Sequence, residues 1–175
     1  MASAHNYARV EWERRFLLAR FPAEAKVVQV RRIVDRYIDG TNLRLRRMSG
    51  ADGGQIFKLT QKLAEPRMTA RQGLITNIYL ACEEFDVLSQ LPARILMKTR
   101  HSVPPFGIDV FEGELRGLVL AEAEFNSAEE AAALQLPPFL HREVTADVRF
   151  NGGRLVRATR EELRQCLAEY GLTAG

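Results

Sequence analysis

Thiol chemistry is nearly absent from this sequence. Its two cysteines, Cys82 and Cys166, stand far apart and without metal-ligand spacing, which argues against a disulfide framework and a thiolate metal site. Free thiols set a cytoplasmic location as the expectation. No uninterrupted apolar stretch approaches the roughly 20 residues that a bilayer-spanning helix needs, and no basic start followed by an apolar run marks a signal peptide. A membrane partner is therefore not expected. Charge of one sign is scarce too: 25 Lys and Arg stand against 22 Asp and Glu, a net charge of +3. That excess is too small to indicate generic nucleic-acid binding. The histidines His5, His101 and His141 are isolated from one another and receive no role.

What is present suffices for one domain spanning residues 1–175. A chain of 175 residues with 46% hydrophobic side chains can bury a core without covalent or metal staples. Strand-forming residues dominate. Within 26–39, Val27, Val28, Val30, Ile33, Val34, Tyr37 and Ile38 favour extended backbone. The segments 42–48, 55–63, 73–80, 94–101, 107–112 and 118–125 continue the series, mostly separated by Gly, Pro or polar clusters. Helices are few and peripheral: one over 81–91 before Pro92, an Ala-rich one over 128–136 behind Ser127 and Glu130, and a C-terminal one at about 160–170. The last has the Thr159/Glu162 capping box at its start and Gly171 at its end. The expected class is α+β, mainly β, as a barrel or sandwich with peripheral helices.

The arrangement of charge carries the chemistry. Residues two apart on a strand share a face, and five segments place charges at that spacing. They are Glu11, Glu13 and Arg15; Arg44 and Arg46; Lys58 and Lys62 flanking Thr60; Lys98 and Arg100; and Glu122 and Glu124. In an open sandwich such faces meet water. In a closed sheet they line the interior. Interior Arg and Lys need counter-charge, which a phosphate chain supplies through many acceptor oxygens. Carboxylates beside that chain repel it unless a hard cation such as Mg²⁺ or Mn²⁺ lies between. Acidic and basic sets together point to a divalent metal and a polyanion.

These segments resemble the CYTH superfamily, the triphosphate tunnel metalloenzymes, a group that includes class IV adenylyl cyclases, thiamine triphosphatases and bacterial inorganic triphosphatases. The family opens on Glu-x-Glu-x-Lys, matched here by Glu11, Glu13 and Arg15, with Arg in place of Lys. Leu43-Arg44-Leu45-Arg46, Leu59-Thr60-Gln61-Lys62 and Lys98-Thr99-Arg100 resemble its tunnel strands. The stretches 107–113, 117–125 and 143–150 resemble its late acidic strands and its closing Glu-Val-Thr-x-Asp-x-Arg-Tyr segment. The resemblance implies an eight-stranded antiparallel closed β-barrel enclosing a triphosphate tunnel. It implies metal ligands at Glu11, Glu13, Glu122 and Glu124, phosphate contacts from Arg44, Arg46, Lys62, Lys98, Arg100 and Arg149, and catalytic roles for Arg15 and Lys98.

The chain departs from that pattern in places. Bacterial triphosphatases carry another Glu-x-Glu where this sequence has Ile75 and Asn77, while Glu83 and Glu84 read as the solvated start of a helix. Val148 stands where many relatives have Lys. Asp109 is readable either as an orienting partner for a tunnel cation or as a structural ion pair, Trp12 as a core residue, and Lys58 is left unassigned. The expected function is metal-dependent hydrolysis of inorganic or organic triphosphate. A polyphosphate-binding module without turnover is the alternative, and adenylyl cyclase ranks lower for want of a base-reading motif. A homodimer is left open. Arg44→Ala and Arg46→Ala are both expected to weaken triphosphate binding with the fold intact.

Overall fold

Alternation along the strands decides which residues point inward, and the order of the strands decides which of them meet. The computed structural model describes residues 7–63 and 72–174; His5 lies outside them. Eight strands carry the sheet: β1 (Arg9–Leu17), β2 (Gln29–Ile38), β3 (Leu43–Gly50), β4 (Gln55–Leu63), β5 (Gln72–Leu80), β6 (Ala93–Val103), β7 (Phe106–Phe111) and β8 (Val119–Phe125). All pairings are antiparallel in the order β5-β4-β3-β2-β6-β7-β8-β1, and β1 pairs back onto β5 to close the barrel. A two-residue strand, β9 (Arg142–Glu143), is added beside Phe16 and Leu17.

β1 divides its length between two neighbours. Arg9–Trp12 lie against β5, and Trp12–Leu17 lie against β8. The stagger keeps the ring wide, since strand tilt and stagger set barrel diameter. Tight turns serve the hairpins: between β3 and β4, Asp52 Oδ1 accepts from the Gly54 N–H at 3.0 Å and Gly53 takes φ +79°, a conformation that glycine adopts without steric cost.

The inward face changes character along the axis. Arg15, Lys98, Asp109 and Glu122 each have an apolar residue two positions away on the same face: Leu17, Leu96, Phe111 and Leu120. These four join Leu118, Val144, Phe150, Leu155, Leu163 and Leu167 in one buried cluster that plugs an end of the barrel. The plug is completed by α3 (Gly152–Leu155) and α4 (Arg160–Glu169). Thr159 Oγ1 accepts from the Glu162 N–H at 3.2 Å while Glu162 Oε2 accepts from the Thr159 N–H at 2.8 Å, the capping box that the sequence signals. On the outer face Phe16, Leu18, Phe106, Ile108, Val119, Ala121 and Ala123 form a second cluster, covered by Phe21, Leu134, Phe139 and Leu140.

Four local features differ from the sequence-based expectations. The helix expected over 128–136 is α2 (Ala128–Ala132), which ends five residues before Pro137. The first helix is α1 (Cys82–Leu88), anchored by Phe85 against Phe57 at 4.7 Å between ring centroids. The segment 143–150 is not a strand beyond Glu143: Val144 and Phe150 turn into the plug, and Asp147 Oδ1 accepts from the Arg149 N–H at 3.0 Å to start a 3₁₀ turn at Val148–Phe150. Trp12, expected in the core, is half-buried. No helix is long and apolar enough to cross a membrane among the described residues.

Candidate functional site

The barrel encloses a cavity of about 670 Å³. Ten of the residues singled out in the sequence line it: Glu11, Glu13, Arg15, Arg44, Arg46, Lys62, Lys98, Arg100, Glu122 and Glu124. Strand alternation brings them to one interior, so the charged faces of five strands converge rather than meeting water separately.

Around Asp35 of β2, Asp109 of β7 and Glu122 of β8 the charges are matched. Asp35 is fully buried and accepts two hydrogen bonds from Arg46, from Nε at 2.6 Å and Nη2 at 2.7 Å. Burial would raise its pKa, but Arg46 and then Arg44 hold it well below the usual carboxylate range. Asp109, also fully buried, binds Lys98 Nζ and takes a fork from Arg100 at 2.7 and 2.6 Å. It is thus the structural partner of two cations, which resolves the two readings of this residue in favour of both at once. Burial draws the Lys98 ammonium below its usual pKa against the pull of Asp109. Glu122 accepts from Arg100 at 2.6 Å and from Arg15 at 3.2 Å. Desolvation opposes its charge, yet Lys98, Arg100 and Arg15 keep it well below the usual carboxylate value. Arg15 further donates to Glu13 at 2.5 Å and to Asn151 Oδ1 at 2.7 Å.

The remaining wall is less completely matched, with Arg9 standing 3.8 Å from Glu11. Lys62 reaches Glu13 at 3.0 Å, crossing over Gly73. A Cβ at Gly73 would lie 2.7 Å from Lys62 Cε, so glycine there leaves the lysine its path. Arg44 donates to Thr60 Oγ1 at 3.3 Å, but its Nε is buried without a hydrogen-bond partner and sits 3.8 Å from Asp35. Lys58 lines the cavity with neither ion pair nor hydrogen bond among the described residues; burial, then Arg46 and Arg44, lower its pKa to about 8. Glu124 has no ion pair or hydrogen bond among the described residues either. Glu11 is 9% exposed, and burial followed by Glu124 pushes its pKa up to about 6, with Glu13 adding to the shift. Glu13 and Glu124 face each other across the β1–β8 ladder.

The four glutamates therefore differ. Glu122 is engaged by two arginines, Glu13 is shared between Arg15 and Lys62, and Glu11 and Glu124 hold crowded negative charge. Among the described residues no three His, Cys, Asp or Glu side chains form a ready-made cation cage. Ile75 and Asn77, in place of an acidic pair, also line the cavity. Nine lining residues are Lys or Arg and four are Glu among the described residues. Asp35 and Asp109 behind them leave three cations in excess.

Arg149, expected to hold phosphate, is not among the cavity-lining residues. It lies outside the barrel, bound to Asp147 at 2.7 Å and to Glu169 of α4 at 2.7 Å. The assignment rests on the resemblance of 143–150 to the family's closing segment; here a 3₁₀ turn at Val148–Phe150 turns Arg149 away, and Val148 lines the cavity instead. Residues that the sequence reading missed are Asp35, Asn151, Arg9 and Arg157, the last three lining the cavity. Asp35 has a signal: it is the one acidic residue of β2, and it stands directly opposite Arg46 in the register.

No family model matches the chain. An inorganic triphosphatase of Nitrosomonas europaea is 33% identical over 153 residues, covering 83% of this chain and 95% of the relative. A crystal structure of the inorganic triphosphatase NE1496 superposes with a TM-score of 0.55 at 27% identity, over 85% of this chain and 95% of that one. A second crystal structure, of the hypothetical protein NE1496, gives a TM-score of 0.56 at 29% identity over 85% and 99%.

Proposed function

From its membership of the stand-alone triphosphatases of the CYTH superfamily, to which this chain belongs, we propose that it hydrolyses inorganic triphosphate held in the barrel cavity. The observation that carries this reading is the meeting of incompletely satisfied groups: the ammonium of Lys58, with no ion pair among the described residues, and the buried Arg44 Nε, without a hydrogen bond, face crowded carboxylates at Glu11 and Glu124 across one cavity. Each half lacks what a metal-bound polyphosphate carries. In the reaction a water adds to a terminal phosphorus, the P–O–P bond breaks, and diphosphate leaves.

The protein's part is positioning and electrostatics. Arg44 and Lys62 hold phosphate oxygens. Arg100 and Arg46, fixed by Asp109 and Asp35, present positive charge with their geometry set beforehand, so little reorganisation is needed when charge develops. Arg15 and Lys98 act as the catalytic pair, fixed cations directed at the reacting phosphoryl group. Glu11 and Glu124 fit a divalent cation, with Glu13 beside them, because their shared negative charge is what such an ion relieves; Glu122 serves chiefly to orient Arg15 and Arg100. Mg²⁺ or Mn²⁺ there would polarise phosphate oxygens, taking its remaining ligands from phosphate and water. The absence of carboxylates at Ile75 and Asn77 leaves room in this scheme for one tightly held ion.

The test is phosphate release from triphosphate, ATP and thiamine triphosphate with Mg²⁺ or Mn²⁺, together with calorimetric counting of bound metal. Release from triphosphate in preference to the other two, with one tight ion per chain, is the expected result. Binding of triphosphate with no release under either metal would replace the hydrolase by a polyphosphate-binding module.

A further inference from the structure

Lys58 belongs to no motif that led to the site, and its surroundings give it a role. It sits on β4, two residues from Thr60 and four from Lys62, on the same inward face. At about 3.3 Å per residue, the Lys58 and Lys62 backbones are about 13 Å apart along the strand. Arg44 falls between them, since it stands opposite Thr60 in the β3–β4 ladder, and Arg46 stands opposite Lys58. Lys62, Arg44 and Lys58 thus form a row along one wall. Competing carboxylates thin out along that row. Lys62 has Glu13 at 3.0 Å, Arg44 has Asp35 at 3.8 Å, and Lys58 has no ion-pair partner among the described residues.

The adjoining strand offers Lys58 nothing negative. Its ladder partner on β5 is Tyr79, followed inward by Asn77 and Ile75. The charged groups that act on it are Arg46 and Arg44 from β3, with Glu124 on β8 and Glu11 on β1 pulling the other way from beyond ion-pair distance. An ammonium kept half-buried next to two guanidiniums costs free energy unless an anion arrives.

Building on the triphosphatase reading, we propose that Lys58 is a substrate-specificity contact: its ammonium binds the phosphoryl group at the end of the chain remote from Lys62, neutralising by a fixed charge the part of the substrate that lies on the carboxylate-free β4–β5 wall. Binding at this wall then needs no metal. Because Lys58 titrates at about 8 in the free protein and a bound phosphate raises that value, the complex takes up a proton between the two values, and affinity falls as pH rises above about 8.

Titration calorimetry of the full chain with tripolyphosphate and with diphosphate, both in chelator, tests the inference using Lys58→Met and Lys58→Arg. The natural protein is expected to bind tripolyphosphate, and Lys58→Met to bind it about tenfold more weakly with diphosphate affinity almost unchanged. Lys58→Arg should restore tripolyphosphate affinity and, having no group that titrates near 8, abolish the weakening between pH 7.5 and 9. Melting temperatures of both variants check folding. Equal tripolyphosphate affinity in the natural protein and Lys58→Met overturns the role of Lys58 and leaves the triphosphatase reading standing. No affinity in the natural protein, with or without Mg²⁺, overturns that reading itself.

Discussion

Two halves of one cavity use the same residue types to opposite ends. Around Asp35 of β2, Asp109 of β7 and Glu122 of β8 each cation is matched by a carboxylate: Arg46 of β3 by Asp35, Lys98 of β6 by Asp109, and Arg100 of β6 by Asp109 and Glu122. On β4, the Arg44 end of β3 and the first half of β1 the pairing is looser: Lys58 has no ion-pair partner among the described residues, the Nε of Arg44 lacks a hydrogen bond and stands 3.8 Å from Asp35, and Glu11, crowded by Glu124, has Arg9 at 3.8 Å. The matched half holds a fixed field in a low-dielectric interior whether or not a ligand is bound. In the proposed function the loosely paired half is the one that a ligand and its metal complete. The same cavity therefore holds charges whose geometry is fixed by pairing and charges that are not.

The largest expected effect breaks the matched half. Asp109→Asn strands Lys98 and Arg100 in the interior and should destabilise the fold by about 3–5 kcal/mol, read from urea unfolding; a loss under 1 kcal/mol would mean that this pairing is dispensable. Next comes Arg44 set against Arg46, which the sequence treats as equivalents. Arg44→Ala should cost about 1.5–3 kcal/mol of triphosphate affinity with the fold retained. Arg46→Ala should instead lower the melting temperature, because it leaves Asp35 buried without its fork.

A smaller effect sharpens the contrast from the other side. Glu11 has a folded-state pKa of about 6 against an ordinary 4.5, so the native state binds more protons than the unfolded chain between those values. Stability from this group is fully present below about pH 4.5 and is lost as pH rises through about 6. In chelator, Glu11→Gln should therefore be more stable than the natural protein at pH 7.5, by about 1–2 kcal/mol at most, with the advantage gone at pH 4.5. An advantage that persists at pH 4.5 would assign the gain to packing. The smallest effect belongs to Arg149→Ala, outside the barrel: triphosphate affinity should be unchanged, and stability should fall by less than about 1 kcal/mol, as for other exposed ion pairs.

Much of this was legible in the sequence because it depends on local rules. β4 spans Gln55–Leu63 as alternation and flanking glycines suggest, and α4 begins where Thr159 and Glu162 say it should. Ten cavity-lining residues follow from a spacing of two. The pairing itself was not legible, since Asp35 meets Arg46 and Asp109 meets Lys98 only through the exact register of each hairpin, which a spacing of two along one strand does not fix. Arg149 was misplaced for a related reason. Its direction depends on whether residues 143–150 stay in the sheet, which is settled by Val144 and Phe150 seeking the plug and by Asp147 capping a turn.

The division of β1 between β5 and β8 also bears on how the chain reaches this state. Arg15 bonds Glu122 across 107 residues and Thr145 across 130. A strand that comes early in the chain cannot be clasped until much later segments have emerged and found their register. Contacts so remote in sequence are closed late, after the entropy of a long loop has been lost. Until then the run Phe16-Leu17-Leu18, buried in the finished barrel, stays uncovered at an unpaired edge, the kind of segment that invites association between chains. The order of synthesis makes the shared strand that closes the ring its most vulnerable part during assembly.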